Sequence, residues 1–371
     1  MIYLDHHAGT PLGTGVRRAM QAAGEIGWAN PSSAHAPGRA ARAAVERARE
    51  KVADALGASP ADLVLTSGGT EACNLGVFGL FGEEPGGHVV TTGVEHPAVA
   101  ACIERLEASG ARVTRLDVHR GRSPGPSDLV AALRADTRLV AVQAVNHETG
   151  TVLPIADLAV ACGSVPMFVD ASQALGKLTL DVRTFGASGV AVAAHKVGGP
   201  AGAAALWVDR TARFTPRSIG GGQERGRRAG TPDATAAAGF GAACTTVRDR
   251  LASMPAIGLR RDRLEAAAVA LGGTRNAWEG PRVATATSLA FRGWRATALA
   301  AALDLEGVCV ASGAACSSGL DRPSPVLLAM HPDEPWRAGS SLRFSLGPET
   351  TDDEIDRAVA ALGRVLARPA T

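Results

Sequence analysis

The sequence predicts an α/β fold, a mostly parallel seven-stranded sheet with helices on both faces, plus a smaller α+β domain towards the C-terminus. Three observations predict it. Short apolar runs alternate with segments of helical spacing between residues 63 and 208, the pattern of βαβ units. Polar and glycine residues stand just after several of those runs, where ligands gather in such sheets. Beyond residue 250 the alternation gives way to a few short strands among helices.

Bulk properties fit this class. The chain has 371 residues, room for two domains at about 100–200 residues each. Hydrophobic content of 46% and charged content of 20% suit a globular protein in water. A net charge of +2 without a basic tract gives no electrostatic reason to expect nucleic acid or an anionic membrane as a partner. The stretch Met1–His7 lacks a basic region followed by an apolar core, so no signal peptide is expected. No apolar run approaches the roughly 20 residues of a membrane span, and the expected location is the cytoplasm. The six cysteines form no Cys-x-x-Cys pair, so no metal site is expected.

Element by element, residues 1–14 read as an extended arm with turns. Segments 15–27 and 37–57 have helical spacing, with Ala44, Val45, Ala48 and Val52 on one side of the second. Strands are expected at 63–66, 88–92, 112–116, 139–145, 167–170, 188–194 and 203–208. Helices are expected from Ser67-Gly68-Gly69-Thr70, over 97–108, over 127–134 with Ser127 as N-cap, and over 155–162. A Gly/Arg-rich connection spans 214–233, before a helix of roughly 30 residues with a break expected near Pro255. Then come strand 287–291, helix 296–304, strand 308–310, a Gly/Ser-rich loop 311–325, strand 341–345 and helix 351–367. The domain division drawn from this is 15–250 for the large domain, with 1–14 and 251–371 forming the small one.

Several residues stand where chemistry is plausible. Basic residues number 38, and only Lys51, Lys177 and Lys196 are lysines. Lys196 ends an apolar run before Gly198-Gly199-Pro200, and a desolvated lysine can lose its proton and attack a carbonyl. Asp170 ends another apolar run, where a carboxylate needs a cationic partner or a helix to cap. Gly69 and Thr70 open a helix after a strand, a setting that suits a phosphate. His96 follows a strand and can stack on a ring or carry protons. Cys316 is the one cysteine in a Gly/Ser-rich loop, and an accessible thiolate is a nucleophile. Arg343, on the Ser341 and Ser345 face of its strand, offers a fork for a carboxylate. Together these are the parts of a pyridoxal phosphate site.

The motifs Tyr3-Leu4-Asp5, Asn30-Pro31-Ser32-Ser33, Thr66–Glu71, Glu95-His96, Val169–Gln173, His195-Lys196, Gly220–Thr231, Ser312–Ser318 and Ser341–Gly347 occur in the order of one family. In them the chain resembles the cysteine desulfurases of the NifS/IscS type, among the class V aminotransferases of pyridoxal phosphate fold-type I. The resemblance implies that Lys196 holds pyridoxal 5'-phosphate, Asp170 pairs with its ring nitrogen, and His96 stacks on the ring as acid and base. It implies that Gln173 bonds the ring oxygen, and that Gly69, Thr70 and His195 bind phosphate with the partner subunit's Thr231 in a homodimer. Asn30 and Arg343 would grip the carboxylate of L-cysteine. Cys316 would take the sulfur as a persulfide for a sulfur-acceptor protein or pathway enzyme, leaving L-alanine.

The sequence departs from the family at four places. His147 stands where a second Asn usually meets the ring oxygen, and is expected to bind the cofactor there. Ala193 replaces a phosphate-binding Ser, Gly9 a Thr of the arm, and Gln223 a common His. Two other readings remain open: a pyridoxal phosphate-dependent lyase acting on cystine or selenocysteine, and a catalytically silent relative that serves as a binding subunit. Cys316 discriminates the first, and intact Lys196, Asp170 and His96 speak against the second.

Overall fold

The computed structural model describes residues 1–119, 122–277, 280–313 and 322–368, so Cys316 lies outside the described residues. Its strands are β1 (Ile2–Tyr3), β2 (Leu63–Thr66), β3 (His88–Thr92), β4 (Arg112–Leu116), β5 (Thr137–Gln143), β6 (Met167–Asp170), β7 (Gly189–Ala193), β8 (Ala204–Val208), β9 (Thr274–Arg275), β10 (Ala286–Ala290), β11 (Val308–Cys309), β12 (Ala311–Ser312) and β13 (Ser341–Ser345). Among the described residues the largest sheet has seven strands in the order β2-β8-β7-β6-β5-β3-β4. Only β8 runs against its neighbours. The β3/β4, β3/β5, β5/β6 and β6/β7 pairs are parallel.

Burial on both faces explains why these strands read as unbroken apolar runs rather than alternating ones. Val140, Val142, Phe168, Val169, Val190 and Val192 have no exposed surface. Two apolar cores flank the sheet. One holds Val45, Val52 and Leu56 from the helix Ala36–Leu56, and the other Leu75, Val77 and Leu80 from the helix Gly69–Phe81. Helix Ala36–Leu56 ends at Gly57, whose φ of 64° is the left-handed conformation that glycine adopts without a Cβ clash.

A third core gathers Ile2 and Leu4 of the N-terminal arm with Leu264, Leu289, Leu299, Phe344, Ile355 and Leu362. The arm reaches it by parallel pairing of β1 with β11. A four-stranded antiparallel sheet, β12-β13-β10-β9, lies in this part of the molecule. Helix Asp352–Leu366 starts with a reciprocal cap, in which Glu354 N donates to Thr351 Oγ1 and Thr351 N donates to Glu354 Oε2.

The structure departs from three sequence-based expectations. The roughly 30-residue helix is two helices, Ala234–Cys244 and Val247–Ala270, and Pro255 lies inside the second. The break falls at Thr245 and Thr246, whose hydroxyls donate to the Ala242 and Ala243 carbonyls and so compete with helix continuation. The helix expected from Ser127 begins at Pro126 behind Gly125, with the Gly125 N–H held by Asp128. Inside the loop expected at 311–325, Ala311 and Ser312 form a short strand against β13. Among the described residues no helix is long and apolar enough to cross a membrane.

Candidate active site

The carboxyl ends of β2, β3, β5, β6 and β7 open onto one cavity of about 330 Å³. Gly69, Thr70, His96, His147, Asp170, Gln173, His195, Lys196 and Arg343 all line it. The structure thus brings together nine of the residues singled out from the sequence. Asn30 and Thr231 are not among them. Asn30 is exposed, with its Oδ1 accepting from Ser32 N. Thr231, also exposed, lines a separate depression beside Thr66 and Ser67, at the end of β2 that leads to Gly69.

Five parallel strands aim their turns at this place. β7 ends at Ala193, and one 3-10 turn carries Ala194, His195 and Lys196 into the cavity wall. Lys196 Nζ donates to the His7 carbonyl at 2.6 Å and to that of Ala8 at 3.1 Å, so the N-terminal arm holds the amine in place. β6 delivers Asp170, which is buried and accepts from Ser172 N at 2.9 Å. Both sequence readings of Asp170 are therefore compatible: one oxygen caps the following turn while the side chain faces the cavity. Gly69 is the first residue of its helix, so the free N–H groups of that terminus face the cavity beside Ser172 and Ala193. A Cβ on Gly69 would lie 3.1 Å from Ala193 Cβ, a contact tight enough that Ala193 would have to give way by a few tenths of an ångström.

Four histidines, His7, His96, His147 and His195, line the cavity, and burial lowers the pKa of each. Burial first, then the neighbouring Lys196 and Lys177 charges, lowers the His195 pKa to about 4. Burial pushes His147 well below its ordinary value, with His96, Arg343 and Lys196 adding to it. His96 is lowered by burial against the opposing pull of Asp170. His96 Nδ1 accepts from Ala98 N at 3.1 Å, which places the proton of the neutral ring on Nε2. The His96 and His147 rings meet edge to face, with centroids 5.0 Å apart. His147 Nδ1 is buried and has no hydrogen-bond partner among the described residues.

Arg343 is a buried side chain on β13. Its Nη1 donates to the His147 carbonyl at 2.9 Å and its Nη2 to Asp5 Oδ1 at 2.7 Å. Arg343 Nε is buried and has no partner among the described residues. The guanidinium edge made by Nε and Nη2 is the geometry that receives a carboxylate in two parallel bonds.

The sequence reading missed several groups. His7 lines the cavity and supplies the carbonyl that holds Lys196. Ser172 puts a hydroxyl beside Gly69, close to where Ala193 lacks one. Glu95 lines an adjoining cavity of about 310 Å³ that shares His147 with the first. Burial raises the Glu95 pKa to about 8, Asp170 adding and Thr92 opposing. The other thiols are poor nucleophiles: Cys73, Cys102, Cys162 and Cys244 are buried, and burial lifts Cys102 and Cys162 to about 12. Cys309 is half-buried and raised by burial and by Asp304.

Comparison with known proteins gives a consistent result. The class-V aminotransferase family matches residues 2–358. An IscS-like cysteine desulfurase of Mycobacterium tuberculosis is 41% identical over 99% of this chain and 97% of its own. A solved NifS-like protein superposes with a TM-score of 0.91 at 27% identity, covering 99% of both chains. SspA, solved in complex with cysteine, superposes with a TM-score of 0.79 at 29% identity over 95% of this chain and all of its own.

Proposed function

Because the chain belongs to the class-V aminotransferase family and to its cysteine desulfurases, we propose that it binds pyridoxal 5'-phosphate at Lys196 and takes the sulfur from L-cysteine. The observation that carries this reading is the convergence of Lys196, Asp170, His96, Gly69, Thr70 and Arg343 on one cavity. The donor set fits the group. A free helix terminus suits its phosphate, a buried carboxylate suits its protonated ring nitrogen, and His147 Nδ1 is a buried polar atom still in need of a partner. Gly69, Thr70 and His195 would hold the phosphate with Thr231 of the partner subunit in a homodimer, while Asp170, Gln173 and His147 would hold the ring.

Bound there, pyridoxal phosphate supplies an electron sink for the substrate's α-carbon. The chain's own residues do the rest. Arg343 receives the substrate carboxylate on its Nε edge, and Asn30 is assigned a share of that grip by the family resemblance alone. Lys196, parked on the His7 and Ala8 carbonyls, is released to carry a proton. His96 offers a proton on Nε2 across from it. The Cys316 thiolate attacks the substrate sulfur, and the Cβ–S bond breaks with its electron pair left on carbon. That carbon takes a proton to become the methyl group of L-alanine, and the sulfur remains as a Cys316 persulfide.

The small domain of this proposal comprises 1–14 and 251–371 and brings Arg343 and Cys316 to the large domain, 15–250. The setting proposed is cytoplasmic, with a thiol-bearing acceptor consuming the persulfide. The test is titration of purified protein with pyridoxal phosphate. A visible absorption band that is absent from Lys196→Ala is expected, and no band from the unmodified chain would overturn the reading.

A further inference from the structure

Lys177 is buried, with 7% of its surface exposed, four residues beyond Gln173 in a non-helical turn segment. Its Nζ donates to Gln173 Oε1 at 2.7 Å. That bond fixes which way the Gln173 amide faces, and the opposite end, Nε2, donates to the His7 carbonyl at 2.9 Å. The same carbonyl accepts from Lys196 at 2.6 Å. Lys177, Gln173, His7 and Lys196 thus form one hydrogen-bonded chain along the cavity wall.

The electrostatic setting of Lys177 is one-sided. It makes no ion pair with a carboxylate of the described residues, and the charges that face it are Lys196, Arg250 and Arg343. Burial and these cations push its amine well below the ordinary lysine value. A buried amine among cations is costly unless an anion joins it. In a chain that almost always uses arginine, a lysine at this spot places a compact donor where a guanidinium fork would not fit one amide oxygen.

We propose that Lys177 is a positioning residue for the anionic cofactor, orienting Gln173 so that the amide N–H₂ faces the cofactor's ring oxygen while the bound anion offsets the cation cluster. This rests on the pyridoxal phosphate reading above. Gln173 Nε2 has two hydrogens, one committed to His7, and Lys177 keeps the second on the cavity side. Without Lys177 only the bond from Nε2 to the His7 carbonyl still orients the amide, and its oxygen turns inward more readily, where it would repel the ring oxygen.

The test uses the full chain with Lys177→Met. Pyridoxal phosphate affinity is read from the visible band, and melting temperature is read with and without the cofactor. Affinity is expected to fall about tenfold or more, the loss of one bond from a charged donor. The cofactor-induced rise in melting temperature should shrink, while the cofactor-free protein melts no lower than the unmodified one. Unchanged affinity, or an equal drop in melting temperature with and without cofactor, would overturn the proposal. Should the Met variant fail to fold, Lys177→Leu, which likewise offers no donor to Gln173 Oε1, takes its place, and the same affinity loss is expected; its absence again overturns the proposal. If the unmodified chain itself takes up no pyridoxal phosphate, the functional reading fails instead.

Discussion

Arg343 Nη2 and Asp5 Oδ1 stand 2.7 Å apart, an ion pair that ties β13 to the N-terminal arm. One side of the guanidinium is thereby fixed while Nε stays without a partner among the described residues. Arg343→Lys keeps the charge but loses the planar edge. The Michaelis constant for L-cysteine should rise about 10- to 100-fold, as expected for losing a two-bond contact to a carboxylate. Steady-state kinetics checks this, and a constant within twofold of the original would remove Arg343 from carboxylate binding.

Ala193 and Gly69 meet on the phosphate side of the cavity, so close that a Cβ on Gly69 would lie 3.1 Å from Ala193 Cβ. Ala193→Ser adds a hydroxyl there, and pyridoxal phosphate should bind about fivefold more tightly, one hydrogen bond's worth. Gly69→Ala should weaken it. Absorbance titration measures both, and equal affinities in all three proteins would contradict this assignment of the phosphate end.

Glu95 is neutral in the folded protein at neutral pH, because burial raises its pKa from 4.5 to about 8. A raised folded pKa gives stability that is complete below the unfolded value and is lost as pH rises through the folded one. Between pH 4.5 and 8 the Glu95 contribution should therefore decline with a slope of about 1.4 kcal/mol per pH unit. Glu95→Gln, which can still accept from Thr92, should lack that slope. Denaturant unfolding of both proteins across this range checks it; parallel stability curves would sink the claim.

Much of the site was legible in the sequence because its parts sit in short turns after apolar strands. Lys196, Asp170, His96 and Gly69 each occupy such a turn, and the parallel sheet brings the turns to one edge. What was not legible depends on contacts between distant segments. Nothing local says that the His7 carbonyl holds Lys196, or that Asp5 pairs with Arg343 across most of the chain. Lys177 had a signal that went unused, since its rarity among arginines equals that of Lys196. The helix break was misplaced because Pro255 is the louder local cue, while the Thr245 and Thr246 hydroxyl bonds leave no mark on hydrophobic periodicity.

Arg49 and Glu224 form a buried two-bond pair, at 2.6 and 2.8 Å, that also accepts the Leu65 N–H. It pins the Gly/Arg-rich connection to β2, just ahead of the Gly69 turn. Arg49→Met leaves the Glu224 carboxylate buried without its cation and should cost about 3–5 kcal/mol of stability. Urea unfolding reads this directly, and a loss below about 1 kcal/mol would show that the pair behaves like an exposed one.

The most direct measurement is a single turnover. Protein loaded with pyridoxal phosphate is mixed with L-cysteine without an acceptor thiol, and free alanine and protein-bound persulfide are counted. The account predicts equal amounts of both, with the persulfide on Cys316 and neither product from Cys316→Ala that still carries the visible cofactor band. Alanine formed undiminished by Cys316→Ala, or a persulfide on another cysteine, would contradict it.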